Sequence, residues 1–146
     1  MPTTTVRQIL ARKGADYFSI TPEAPVFTAL ALMAEKNVGA LLVLESDRLV
    51  GILSERDYAR KVVLLGKSSR NTSVREIMST RVLYVRPEQT VDECMALMTD
   101  KLIRHLPVLE QGRVSGIVSI GDVVKAVIAD QSFAISQLEH YITGGR

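Results

Sequence analysis

The chain has 146 residues, 47% hydrophobic and 23% charged, with a formal net charge of +2 and one cysteine. This composition argues for a compact globule and against disorder, and no apolar run approaches the roughly 20 residues that a membrane span needs. Cys94 has no partner for an internal disulfide and reads as a small packed side chain on a helix, while a charge so small selects no ligand class by itself.

In chain order, the opening Met-Pro-Thr-Thr-Thr-Val-Arg has no apolar leader, so a cytoplasmic protein with no membrane contact is expected. Thr3 to Ala15 reads as a short amphipathic helix, with Val6, Ile9 and Leu10 at helical spacing, a Thr cap ahead and Gly14 as its stop. Tyr17 to Ile20 is a brief strand ended by Thr21-Pro22, because the residue before proline is pushed out of the helical region. Val26 to Lys36 is apolar almost all round and reads as a helix packed on two sides. Leu41 to Leu44 and Leu49 to Leu53 are strands about the polar turn Glu45-Ser46-Asp47-Arg48. Glu55 to Leu65 is predicted as a helix that Gly66 stops. Gly66 to Ser73 is a polar linker whose Gly-Lys-Ser is no phosphate loop, since Lys61 stands where the pattern needs its first glycine. Val74 to Met78 is a turn of helix, after which the second half is expected to copy the first element for element. From Val123 to Tyr141 the apolar pattern continues as one long helix or two short ones, with packing as its expected role. The boundaries expected are an N-terminal helix at 1–15, repeats at 16–66 and 74–130, a linker at 67–73 and a helical tail at 131–146.

The repeat is read directly from the residues. Leu-Val-Gly-Ile-Leu-Ser-Glu-Arg-Asp at Leu49–Asp57 returns as Val-Ser-Gly-Ile-Val-Ser-Ile-Gly-Asp at Val114–Asp122. Sliding Ile20–Asp57 onto Val85–Asp122 without a gap gives 16 identities in 38 positions. Each copy is strand, turn, helix start. Ser54 and Ser119 fall at N-cap positions, with Asp57 and Asp122 where a capping box puts its acid. The same placement suits a ligand, because a helix start offers free N–H groups and a positive dipole end.

Pro-x-x-x-Val before a Met-containing helix, Arg-His-Leu-Pro-Val, and Gly-Ile-Val-Ser-x-x-Asp together resemble the CBS domain, and the chain resembles a stand-alone CBS pair, or Bateman module, from about Tyr17 to Ile128. The resemblance implies an α/β (α+β) tandem fold with two small sheets, each packed with helices and related by a pseudo-two-fold. It also implies a regulatory adenine-nucleotide-binding module, with AMP, ADP, ATP or NAD as ligand and an unknown regulated protein as target, not an enzyme. The first copy departs from the pattern where Gly39-Ala40 replaces Arg104-His105 and Leu42 replaces Pro107.

An adenine nucleotide needs an apolar slot, acceptors for its ribose hydroxyls and positive charge or N–H groups for phosphate. In repeat one the candidates are Val38, Gly39 and Ala40 at the strand opening, Asp57 for the ribose, and Ser54 with Arg56 for phosphate. In repeat two they are Ile103, Arg104 and His105 opposite Ser119 and Asp122, while Thr21 and Arg86 stand at the loop that in CBS domains usually closes over the base. Each has a quieter reading: Ser and Asp as helix caps, Arg56 and Arg104 as surface ion pairs, His105 as a half-buried strand residue and His140 as a solvated one. The positive charge comes from different elements in the two copies, so NAD or ADP is expected to prefer the Asp57 site and AMP the Asp122 site. A homodimer through Val26–Lys36 and Val91–Lys101 is expected as well. The alternative is a structural or nucleic-acid-binding dimer without small ligand, for which the segment Arg56 to Arg86, with eight Lys or Arg, is the one candidate; it lacks aromatic interleaving.

Overall fold

The structure, a computed structural model, describes residues 3–142. Its elements in chain order are α1 (Val6–Lys13), β1 (Ser19–Ile20), α2 (Val26–Lys36), β2 (Ala40–Glu45), β3 (Arg48–Ser54), α3 (Glu55–Tyr58), a π-helical turn (Ala59–Val63), α4 (Val74–Ile77), α5 (Val91–Lys101), β4 (His105–Glu110), β5 (Arg113–Ser119) and α6 (Ile120–Ile142). They form two compact units. One gathers Asp16–Leu83 with Gln111–Val114; the other gathers, of the described residues, 3–15, Tyr84–Glu110 and 115–142.

In the first unit, β2 and β3 form an antiparallel hairpin about Ser46 and Asp47, both at positive φ, and β1 adds in parallel through Ser19↔Leu42 and Ile20↔Val43. The β2 run Ala-Leu-Leu-Val is buried on both faces, as a central strand needs. Its core combines Val26, Ala29 and Met33 of α2 with Leu41, Val43 and Leu53 of the sheet, and Val74 and Ile77 of α4. Asn37, in the left-handed region that asparagine tolerates, stops α2.

The second unit repeats this plan around β4 and β5, but its first strand shrinks to one bridge, Val85↔Val108, so the copy is not element for element. The reason is a proline. In repeat one the Leu42 N–H donates to the Phe18 carbonyl; Pro107 holds the same place in repeat two and has no N–H to give.

The core of the second unit packs Val91, Cys94 and Met98 of α5 against Leu106, Val108, Val118 and Val123, and it includes Val6 and Ile9 of α1. Thus α1 precedes repeat one in the chain and completes the core of repeat two, as α4, which precedes repeat two, completes that of repeat one. The attachments match bond for bond. Val6 N–H donates to the Gln89 carbonyl and Val91 N–H to that of Thr4, both at 2.8 Å; Val74 N–H donates to Ala24 and Val26 N–H to Thr72, again at 2.8 Å. A glycine in each second strand admits the lead helix. A Cβ on Gly51 would lie 2.7 Å from Met78 Sδ, and one on Gly116 2.9 Å from Leu10 Cδ2.

The helix expected over Glu55 to Leu65 breaks instead into α3 and the π-helical turn. Leu64 N–H reaches back to the Ala59 carbonyl and Lys67 N–H to that of Val62, five residues each, a widening that accompanies full burial of Val62 among exposed Val63, Leu64 and Leu65. After repeat two, by contrast, one continuous helix runs to Ile142; residues 143–146 of the expected tail lie outside the described residues.

Candidate functional site

Each Ser-x-x-Asp turn is a closed capping box. In the first unit Ser54 ends β3; its Oγ accepts from the Asp57 N–H at 3.2 Å, and Asp57 Oδ2 accepts from the Ser54 N–H at 3.0 Å. In the second, Ser119 Oγ accepts from the Asp122 N–H at 3.2 Å and Asp122 Oδ2 from the Ser119 N–H at 2.8 Å. The quieter reading of these four residues is therefore present in full, and it orients both carboxylates.

The strand openings meet these turns. Glu55 N–H, the first of α3, donates to the Gly39 carbonyl at 3.1 Å, and Ile120 N–H, the first of α6, donates to the Arg104 carbonyl at 2.8 Å. Ala40 pairs with Ser54 across the β2–β3 ladder. Val38, Gly39, Ile103 and His105 are half-buried, Ala40 is buried, and Arg56 and Arg104 are exposed. Thr21 and Arg86 are exposed just past Ile20 and Val85, and their hydrogen bonds are local: Thr21 carbonyl accepts from Ala24 N–H, and Arg86 N–H donates to Gln89 Oε1.

Two lysines that sequence reasoning did not assign to the sites hold the carboxylates. Lys13, at the end of α1, places Nζ 2.7 Å from Asp122 Oδ2 and 2.9 Å from the Ile117 carbonyl. Lys61 places Nζ 3.2 Å from Asp57 Oδ1 and 2.9 Å from the Ile77 carbonyl, so it turns back to the site. The i,i+4 spacing of Asp57 and Lys61 was a readable signal; Lys13, more than a hundred residues from Asp122, left none. Burial pushes the Asp122 carboxyl up, but the Lys13 ammonium and the Ser119 N–H outweigh it and hold the group below the usual range.

Two arginines of the basic stretch are engaged within their own unit. Arg75 bridges Glu23 and Glu45 at 2.6 Å each, which raises its own pKa and lowers that of Glu23 through the shared hydrogen bond, and Arg70 lies 3.9 Å over the Phe27 ring. Cys94 is buried, and desolvation pushes its thiol up to about 11, as befits a packing residue. Among the described residues no group of three or more His, Cys, Asp or Glu can hold a metal ion, and no helix is long and apolar enough to cross a membrane.

The family model of the CBS domain matches residues 2–64 and 74–129. A CBS-domain protein of Burkholderia ambifaria of known structure is 56% identical, with a TM-score of 0.85, over 88% of this chain and 96% of that one. The mitochondrial CBS domain-containing protein CBSX3 of Arabidopsis thaliana is 40% identical over 98% of this chain and 74% of its own length, and YhcV of Bacillus subtilis is 32% identical over 84% and 88%. The match to the first copy starts at residue 2 and that to the second at residue 74, so each takes in the lead helix ahead of its repeat. This chain belongs to the CBS-domain family, whose members commonly bind adenosine-containing ligands in regulatory roles.

Proposed function

We propose that the protein is a regulatory adenine-nucleotide sensor, with one site at each Ser-x-x-Asp turn, that signals to a partner protein without catalysing a reaction. The observation that carries this reading is the convergence, in both units, of the strand opening on the turn through the Gly39 and Arg104 carbonyls. That convergence puts small or apolar residues, a hydroxyl and an oriented carboxylate within one neighbourhood, twice. A ribose diol would replace the lysine ammonium on the outer lone pairs of Asp57 or Asp122, and phosphate on the same ligand offers that ammonium a new partner. Arg56 in one copy and Arg104 in the other favour NAD or ADP at the Asp57 site and AMP at the Asp122 site.

A cytoplasmic, self-associating protein completes the reading, with exposed Phe27 on α2 and Leu102 after α5 favouring association through those helices. Thermal melting with AMP, ADP, ATP and NAD tests the ligand. At a hundredfold excess over its dissociation constant a ligand adds roughly 2.7 kcal/mol per site. Asp57→Ala and Asp122→Ala each remove part of the shift; a melting curve unmoved by all four ligands overturns the reading. Equal weakening of AMP and NAD by Arg56→Ala and by Arg104→Ala, read by calorimetry, would overturn the difference between the sites.

A further inference from the structure

Helix α6 uses one face for its own unit. Val123 and Ala126 are buried in the core, and Asp130 accepts from the Thr4 hydroxyl and N–H at 2.7 and 3.2 Å. A different face carries Val124, Ile128, Gln131, Ile135 and Leu138, spaced four, three, four and three residues apart, and the four apolar members are 39%, 56%, 57% and 63% exposed. That spacing is the 3.5-residue period with which one helix meets another along a seam. More than half of the seam, from Gln131 on, lies beyond residue 129, where the family match ends.

We infer that this seam pairs with the same seam of a second copy, the two α6 helices running antiparallel. The charges choose the occupant and its direction. In heptad terms Ile128 and Ile135 take a positions, Val124, Gln131 and Leu138 take d positions, and Lys125 and Glu139 both take the flanking e position. An antiparallel pair sets a against d, so Ile128 faces the second copy's Leu138 and Ile135 faces its Gln131. It also sets e beside e, which brings Lys125 to the second copy's Glu139, and the two-fold makes the pair again on the other side. A parallel pair would set e beside g, where Val127 and Ala134 stand, and would leave both charges unmatched. Gln131 facing Ile135 weakens the central layer, the kind of polar placement that fixes register at some cost in stability. This inference rests on the self-association in the reading above and adds to the α2 and α5 faces a seam on α6.

Disulfide trapping on the full chain tests it. Ten residues along a helix span about 15 Å, so Ile128→Cys and Leu138→Cys in one chain cannot bond to each other, and Cys94 is buried. Under mild oxidation the double variant is expected to form a covalent dimer and each single variant to stay monomeric on a denaturing gel. Single variants that cross-link as well as the double, or a double variant that does not cross-link, overturn the antiparallel seam. Lys125→Glu and Glu139→Lys should each move dissociation to lower dilution, and together restore it. Light scattering separates the two levels. A wild type that is monomeric at micromolar concentration removes self-association itself, whereas a dimer untouched by Leu138→Glu keeps self-association and removes α6 as its seam.

Discussion

Both units secure a lead helix against a Ser-x-x-Asp turn, and each uses one lysine, but the lysine comes from opposite sides. Lys13 sits on the lead helix α1 and reaches across to Asp122 and the Ile117 carbonyl of β5. Lys61 sits beyond the Asp57 turn and reaches across to the Ile77 carbonyl of the lead helix α4. Aligning the copies puts Arg81 in the place of Lys13 and Ala126 in the place of Lys61. An ammonium is thus supplied to the corresponding carboxylate by positions that do not correspond in sequence. The arginine clamps, by contrast, do correspond: Arg7 reaches Glu88 and Glu110 as Arg75 reaches Glu23 and Glu45, and each pair of acids lies 65 residues from the other.

The largest expected effects come from removing what the lead helices bury. Ile77 is 1% exposed and Ile9 5%. Truncating a buried isoleucine to alanine costs about 2–5 kcal/mol, so Ile77→Ala and Ile9→Ala should each lower the urea midpoint, Ile77→Ala by more. If Ile9→Ala proves nearly neutral while Ile77→Ala is costly, α1 is not part of a core as α4 is, and the parallel between the units breaks.

Much of this was legible. Sixteen identities in 38 positions exposed the repeat, Thr and Gly signals bounded α1, and Ser-x-x-Asp marked both helix starts. The equivalence of the two lead helices escaped, although Thr-Thr-Val-Arg-Gln-Ile at Thr4–Ile9 and Thr-Ser-Val-Arg-Glu-Ile at Thr72–Ile77 are plainly alike. Their separation is 68 residues where that of the repeats is 65, so an ungapped slide misses them, and no local pattern says that a segment packs on the later copy. The loss of the first strand in repeat two was visible in Pro107 but needed the register of Leu42 to be understood. The π-helical turn could not be read, because periodicity shows a helix and not a single widened turn within it.

The glycines sharpen the comparison at smaller magnitude. A methyl on Gly51 meets not only Met78 Sδ but the Ser79 carbonyl oxygen at 3.0 Å, which is backbone and fixed by its pairing with Ile52; on Gly116 its close neighbours are the mobile ends of Leu10. Overpacking of a rigid site costs about 1–3 kcal/mol. Gly51→Ala should fall in that range, and Gly116→Ala should cost clearly less, as read by chemical denaturation. Equal costs would mean that the two lead helices are held with the same rigidity.

The smallest effect belongs to Asp122. Its carboxyl titrates below the ordinary value even though burial opposes this, because Lys13 and the Ser119 N–H favour the charged form. A group whose folded pKa is depressed contributes stability that is fully present above its unfolded pKa and is lost as pH falls through the folded one. Losing a helix cap costs about 1 kcal/mol, so Asp122→Asn should lower stability by about that much at pH 7. The gap between wild type and variant should close as pH drops below about 4, the ordinary aspartate range. Lys13→Met should narrow the same gap at neutral pH, since it removes one of the two groups that favour the anion. Urea titrations of wild type, Asp122→Asn, Lys13→Met and the double variant between pH 2 and 7 would measure this; a gap that is independent of pH, or equally wide with and without Lys13, would show that the ammonium does not hold the carboxylate and that the two units differ less than their lysines suggest.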